Sequence, residues 1–174
     1  DSSIHMIPSF SLIMHHTGLL YGIAGGHDKV FPFTSSAELE FLQSYGEQLR
    51  QTGTRLVLTE NLVKSLDVGG LVRYIGFVAS DDEQFTFKLY ELLSAYPDTQ
   101  CNLRMRYDNR LQEAIQLFYR NDFYLARNTF SSLLHTAPDD GIVRWYLFAC
   151  EHYFNCEEQS NIDYRLFGID RSIT

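Results

Sequence analysis

The sequence predicts an α+β fold, in which an antiparallel sheet with helices is followed by an α-helical extension. Up to about residue 100, short apolar runs alternate with Gly, Ser and Asp, which is typical of strands joined by turns. Beyond it, apolar residues recur three and four positions apart, which is typical of amphipathic helices. Pro97 fixes φ at the point of change and favours a turn. We therefore predict an α+β domain over 1–96, a helical extension over 97–156 and a tail over 157–174.

Short strands and helices alternate in the first part. Thr17 and Gly18 connect two apolar runs in two residues, which predicts a β-hairpin. Ser and Thr residues followed by Glu38 are an N-cap signal for a helix, and Gly53 is a C-cap signal at its end. The predicted strands are 10–16, 19–24, 55–58, 71–78 and 85–92, and the predicted helices are 36–51 and 60–65.

Periodicity defines the rest of the chain. Phe85, Phe87 and Leu89 alternate with polar residues in the last predicted strand, which indicates one buried face. In the extension, Asn121 and the run 137–140 interrupt the helical spacing. The predicted helices are 107–119, 123–136 and 141–155. The tail residues expected to pack onto the body are Ile162, Leu166 and Phe167.

Composition excludes several classes of protein. The 174 residues carry 14 Lys and Arg against 22 Asp and Glu, a formal net charge of −8. Nucleic acids and anionic membranes select clustered positive charge, so we expect no nucleic-acid partner and no membrane contact. No apolar run approaches the roughly 20 residues of a membrane helix. The first ten residues lack the pattern of a signal peptide, and the three cysteines form no CxxC motif, which favours a cytoplasmic location.

Three blocks of the first part resemble the second half of a class III nucleotidyl cyclase domain. HTG at 16–18 and YGIAG at 21–25 are similar to a family segment that reads approximately GIHTG-xxxG-xxG. GTRLVLTE at 53–60 resembles the family's GTRIxxSE. YIG at 74–76 and KLYEL at 88–92 resemble its closing hairpin. The resemblance implies a partial cyclase fold, with a ferredoxin-like antiparallel sheet.

The helical extension resembles a tetratricopeptide repeat. Five of its residues stand at offsets 0, 12, 16, 19 and 24, where this repeat places small residues, apolar residues and a proline. They are Ala114, Ala126, Phe130, Leu133 and Pro138. Because one repeat cannot form a solenoid, we expect these helices to pack on the sheet domain or to present a partner surface.

The cyclase resemblance implies a site with two metal-binding Asp residues, an Asn, an Arg and a Lys. The Asp residues belong to the first half of the family's domain, which would precede residue 10. Aligned back from Gly53, Ala37 occupies the family's base-reading or Asp position, Glu40 the Asn position and Ser44 the Arg position. Glu40 would repel a triphosphate, and Ser44 cannot form the two parallel hydrogen bonds of a guanidinium. These three positions are therefore degenerate.

The Lys position of the family falls near 80–83, which holds three carboxylates where a polyphosphate needs cations. Lys88 lies beyond this turn and is expected to pair within its strand. The pair His15-His16 resembles a metal site, but adjacent strand residues point to opposite faces, so a structural role is favoured. The sequence thus predicts no catalytic, nucleotide-binding or metal-binding residue.

Aromatic residues crowd the last helix, at Trp145, Tyr146, Phe148 and Tyr153. They form either a core stripe or a partner surface. The core interpretation is the commoner one for such a stripe, with Tyr146 and Tyr153 expected at an interface. These four residues are the candidate interaction residues.

The leading hypothesis is a catalytically degenerate cyclase-like domain that acts as a regulatory, dimerisation or protein-interaction module in signalling. Its partner would be another protein or a second copy, bound through the sheet or the C-terminal helices, with no cofactor. The alternative is part of an active adenylate or guanylate cyclase, using Mg²⁺ or Mn²⁺, whose metal and transition-state residues come from a missing segment or a partner subunit. A third hypothesis is a scaffold whose resemblance to cyclases is coincidental.

Overall fold

The α+β fold is confirmed in a computed structural model, which describes residues 11–18, 20–25, 30–66, 71–155 and 162–169. The strands are β1 (Leu12–Met14), β2 (Leu20–Gly25), β3 (Val30–Ser35), β4 (Leu56–Thr59), β5 (Val72–Ala79) and β6 (Thr86–Leu92). The helices are α1 (Ala37–Gln43), α2 (Gly46–Gln51), α3 (Glu60–Ser65), α4 (Asp98–Tyr119), α5 (Phe123–Thr136) and α6 (Gly141–Asn155).

The main sheet has the strand order β1-β4-β6-β5 and is mixed rather than wholly antiparallel. β4, β6 and β5 pair antiparallel, whereas β1 runs parallel to β4. A parallel neighbour requires a crossover connection, and the segment between β1 and β4 contains α1 and α2. This pairing sets Ile13 beside Val57, which is fully buried.

The predicted hairpin through Thr17 and Gly18 is wrong. β1 pairs with β4, and β2 pairs antiparallel with β3 in a separate two-stranded sheet. The physical reason is that Ile13 extends the apolar face of β4, so the long-range pairing buries an apolar side chain.

The predicted helix 36–51 is divided into α1 and α2. Ser36 caps α1 by accepting from the Leu39 amide at 3.4 Å, as the sequence predicted. The Ser44 hydroxyl donates to the Phe41 carbonyl at 2.6 Å, and this local bond accompanies the break. Gly53 ends the segment with φ of +71°, a conformation that favours glycine.

The helical part begins earlier than predicted, because α4 starts at Asp98 rather than at 107. The predicted turn at Pro97 is therefore wrong. Its fixed φ of −56° instead opens the helix, and its carbonyl accepts from the amides of Gln100 and Cys101. The bounds of α5 and α6 are those predicted. Asn121 takes the left-handed turn between α4 and α5, with φ of +64°.

One buried core contains residues from both predicted parts of the chain, from Leu42 in α1 to Leu166 in the tail. Phe118 lies near its centre, where aromatic rings surround it with centroids 5.3–6.4 Å away. These rings belong to Phe123, Trp145, Tyr146, Tyr153 and Tyr164. The predicted boundary between 96 and 97 therefore falls within a shared core.

Candidate interaction site at the edges of the sheet

The outer edge of β5 is covered by the chain itself. The Leu166 amide donates to the Phe77 carbonyl at 2.7 Å, and Leu166 is fully buried, which confirms that the tail packs onto the body. Arg165 Nη1 donates to the Ala79 carbonyl at 3.1 Å and pairs with Asp81 at 2.6 Å. Ile162 and Phe167 are partly buried beside this core. We call this strand edge, with the tail 162–169 on it, the closed edge.

The outer edge of β1 is different, because no described strand pairs with it. In the parallel pairing with β4, the Leu12 amide donates to the Arg55 carbonyl at 2.9 Å. Backbone groups alternate in direction along a strand, so the amide and carbonyl of Ile13 point away from β4. We call this strand, together with the neighbouring face of α1, the open edge.

Apolar side chains flank the open edge on both faces of the sheet. Leu12 is 49% exposed and Met14 is 41% exposed on one face. On the other face, a groove of about 300 Å³ runs between β1 and α1. Leu39, which is 40% exposed, lines it with Ile13. An added strand would cover apolar surface on both sides while pairing with Ile13.

His15 fixes α1 against β1 and β4. Its buried ring lies 2.8 Å from Thr59 Oγ1 through Nδ1 and 2.9 Å from Glu38 Oε2 through Nε2. The Thr17 hydroxyl also donates to Glu38, and this bond, followed by that from His15, lowers the pKa of the Glu38 carboxyl. Thr59 is fully buried, so its hydroxyl is closed to a substrate. The hydroxyl, the imidazole and the Glu38 carboxylate therefore hold α1 in place against the sheet. The predicted structural role for His15 agrees with this geometry, and His16 is exposed.

Beneath the closed edge lies a buried charge cluster formed by Arg73, Glu91, Arg104 and Asp140. Arg73 donates to Glu91 through Nε and to Asp140 at 2.7 Å through Nη1. Arg104 Nη1 lies 3.2 Å from Asp140 and 3.5 Å from Glu91. The four residues are at most 9% exposed, and their two positive and two negative charges balance.

Two tyrosines complete the cluster, and Asp140 connects it to α6. The Tyr107 hydroxyl donates to Asp140 at 2.6 Å, and the Tyr96 hydroxyl donates to Glu91. Asp140 Oδ1 accepts from the backbone amides of the first turn of α6 at 3.0 and 3.3 Å. Burial alone would raise the pKa of Asp140, but the nearby Arg73 and Arg104 outweigh it and lower the pKa to about 2.

Sequence analysis did not single out this cluster, although one signal was present. Glu91 continues the buried alternation of Phe87 and Leu89, so a carboxylate stands where the pattern requires an apolar side chain. A charge is rarely placed there without a buried partner. Arg73 faces it across the antiparallel pairing of β5 and β6.

The three residues that the cyclase resemblance predicts to be degenerate lie on α1 or at its end. Ala37, Glu40 and Ser44 are exposed, and none of them lines the groove beside β1. Lys88 lies 3.4 Å from Glu60 of α3, so the predicted pairing within its own strand is wrong. Among the residues that the structure describes, no group of three His, Cys, Asp or Glu side chains could hold a metal ion.

The four candidate interaction residues of α6 are placed mostly in the core. Trp145, Tyr146 and Tyr153 are at most 7% exposed, so the expectation that Tyr146 and Tyr153 face an interface is corrected. Their rings are needed around Phe118, which explains the burial. Phe148 is partly buried and stacks on His152 with centroids 6.4 Å apart.

Comparison of the chain with protein-family models, with curated proteins and with solved structures gave no match. In the described part of the chain, no helix has both the length and the apolar character to cross a membrane.

Proposed function

We propose that this chain is a non-catalytic regulatory module, similar to a degenerate class III cyclase domain, that self-associates through its open edge. One observation carries the proposal. The tail covers β5, whereas β1 keeps an outward-facing backbone beside exposed Leu12 and Met14. An unpaired strand edge flanked by apolar side chains is a template for pairing with another strand.

A second copy of this chain is the occupant that the edge favours. Edge strands are often protected by proline or by charged side chains such as lysine. Residues 11–18 read SLIMHHTG and contain no proline, lysine, arginine, aspartate or glutamate. Two β1 strands side by side form a self-complementary contact, in which each copy covers the exposed leucine and methionine of the other. The groove beside Leu39 adds apolar surface at the margin of this proposed contact between the two copies.

The absence of catalysis is proposed from the residue types at the cyclase positions. Ala37, Glu40 and Ser44 offer neither an amide nor a guanidinium to a nucleotide. The most buried charged groups, Arg73 and Glu91, pair with each other inside the fold. Both side chains are fully buried, so they have no access to a substrate.

Sedimentation velocity over a range of protein concentrations tests the association. We expect a reversible dimer, which Met14→Lys converts to a monomer because it would place a charged lysine against the apolar side chains of the other copy. Leu125→Lys is the matched control, since Leu125 is 48% exposed on α5, away from the open edge. A wild-type monomer at every concentration, or a dimer that survives Met14→Lys but not Leu125→Lys, would overturn the proposed surface.

A nucleotide assay tests the absence of catalysis separately. The protein is incubated with ATP or GTP and with Mg²⁺ or Mn²⁺, and the products are resolved by chromatography. We expect no cyclic nucleotide. Robust formation of cyclic AMP or cyclic GMP would contradict the proposal and favour an active cyclase.

A further inference from the structure

A second cavity, of about 310 Å³, lies where the α+β part meets the helices. It is bounded by the start of β4, the first turns of α4 and the loop between α5 and α6. Arg104, Tyr107 and Asp140 of the buried charge cluster form one side. Arg55 and Gln100 form another. This volume is at the lower end of the range for small-molecule sites.

Two guanidinium groups converge on the ring of Tyr96 in this cavity. Arg104 Cζ lies 4.3 Å from the ring centroid and Arg55 Cζ lies 5.4 Å from it. All the hydrogen bonds of Arg104 to described residues start from Nη1, which leaves its remaining N–H groups for another acceptor. Arg55 is exposed, and its side chain donates to described residues through a single 3.3 Å bond from Nη1 to the Ala95 carbonyl.

The charges around the cavity favour an anion. Asp140 accepts from two arginines, a tyrosine and two backbone amides, so its carboxylate oxygens are already occupied by donors of the protein. Within the described ranges, Arg55 forms no ion pair with a carboxylate, and its positive charge is uncompensated at short range. Asp139 is exposed and is the remaining acidic residue of the lining.

We propose that this cavity binds a small organic anion, with its carboxylate or phosphate group on Arg55 and Arg104. Guanidinium groups recognise both anions through paired hydrogen bonds, and the Gln100 amide adds a neutral donor. The body of the ligand lies against apolar surface supplied by Leu103 and Pro138. The cavity shares no lining residue with the groove at the open edge, so anion binding and self-association are tested separately.

Isothermal titration with phenyl phosphate and with benzoate tests the site and separates the two anion types. Benzyl alcohol, which has the ring without the charge, is the neutral control. We expect saturable binding of at least one anion, weaker at higher salt, and no binding of the alcohol. Arg55→Gln should weaken the affinity for the anion about tenfold, because a hydrogen bond between two charged groups is lost.

Arg50→Gln is the matched control, because Arg50 is an exposed arginine of α2 that pairs with Glu47 at 2.6 Å. Gln100→Ala provides a second test inside the cavity and is expected to weaken binding less than Arg55→Gln. Variants of Arg104 are avoided, since this residue belongs to the buried charge cluster. The proposal is overturned if neither anion binds saturably at millimolar concentration, or if Arg55→Gln and Arg50→Gln bind equally well.

Discussion

The two outer strands of the main sheet are treated in opposite ways. β5 is covered by the tail, and its carbonyls accept from Leu166 and from the Arg165 side chain. β1 has three residues, no described neighbour on its outer side and two exposed apolar side chains. The same fold thus closes one edge within the chain and leaves the other without a paired strand among the described residues. The difference shows that, within the described part of the chain, the tail protects β5 and no second strand protects β1.

The interior beneath the two edges differs as well. Behind β5, α4 and the start of α6 are joined to the sheet through Arg73, Glu91 and Asp140. Behind β1, the polar contact to α1 joins the buried His15 ring to the partly exposed Glu38 carboxylate. We therefore expect substitutions on the β5 side to change the free energy of unfolding, and substitutions at β1 to change association.

The largest effect is expected from Arg73→Met. Without the Arg73 guanidinium, Glu91 and Asp140 stay buried with one remaining arginine. An unbalanced buried charge lowers the free energy of unfolding by about 3–5 kcal/mol. Arg50→Met is the control, because the solvent screens an exposed ion pair and its loss should change stability little. Urea unfolding monitored by circular dichroism measures both. Equal stabilities of the two variants would contradict the importance of the buried charge cluster.

The next effect is expected from Leu166→Ala, which loosens the tail on the closed edge. Shortening a fully buried leucine costs about 2–5 kcal/mol. Leu39→Ala, at a 40% exposed site, should cost much less. Thermal and urea unfolding measure the loss, and sedimentation at high concentration should detect new association once β5 is uncovered. If Leu166→Ala unfolds no more easily than Leu39→Ala, the tail does not close this edge.

A smaller effect is expected from acid. The folded pKa of Asp140, about 2, lies below its ordinary value of 3.8. A lowered folded pKa contributes stability above the unfolded pKa, so about 2 kcal/mol should be lost as the pH falls from about 4 to about 2. Urea unfolding at stepped pH measures this loss. Asp140→Asn, though less stable throughout, should lack that component of the acid response. An identical pH dependence in both proteins would contradict the assignment.

Much of the fold follows from local sequence signals. The bounds of α5 and α6 could be predicted from the helical spacing of their apolar residues. The breaks at Asn121 and at 137–140 contain residues that favour turns, so they can be identified from the local sequence. The prediction of a turn at Pro97 is wrong, because a proline can also stand at the start of a helix. The hairpin at Thr17 was also wrong, because the pairing of β1 is decided by the distant β4.

The sites were less predictable for the same physical reason. Arg73 and Asp140 are 67 positions apart, and only the packing of α6 on β5 brings them together. The open edge depends on which strands remain unpaired, a property of topology that no local pattern contains. In contrast, the alternation ending at Glu91 held a local clue to a buried carboxylate.

Amide-resolved hydrogen exchange by NMR over a dilution series tests the central contrast between the edges most directly. The Leu166 amide, bonded to the Phe77 carbonyl, should exchange slowly at every concentration. The Ile13 amide should exchange rapidly in dilute protein and slowly in concentrated protein, as a second copy pairs with β1. An Ile13 amide that is protected equally at all dilutions, or never protected, would contradict the account.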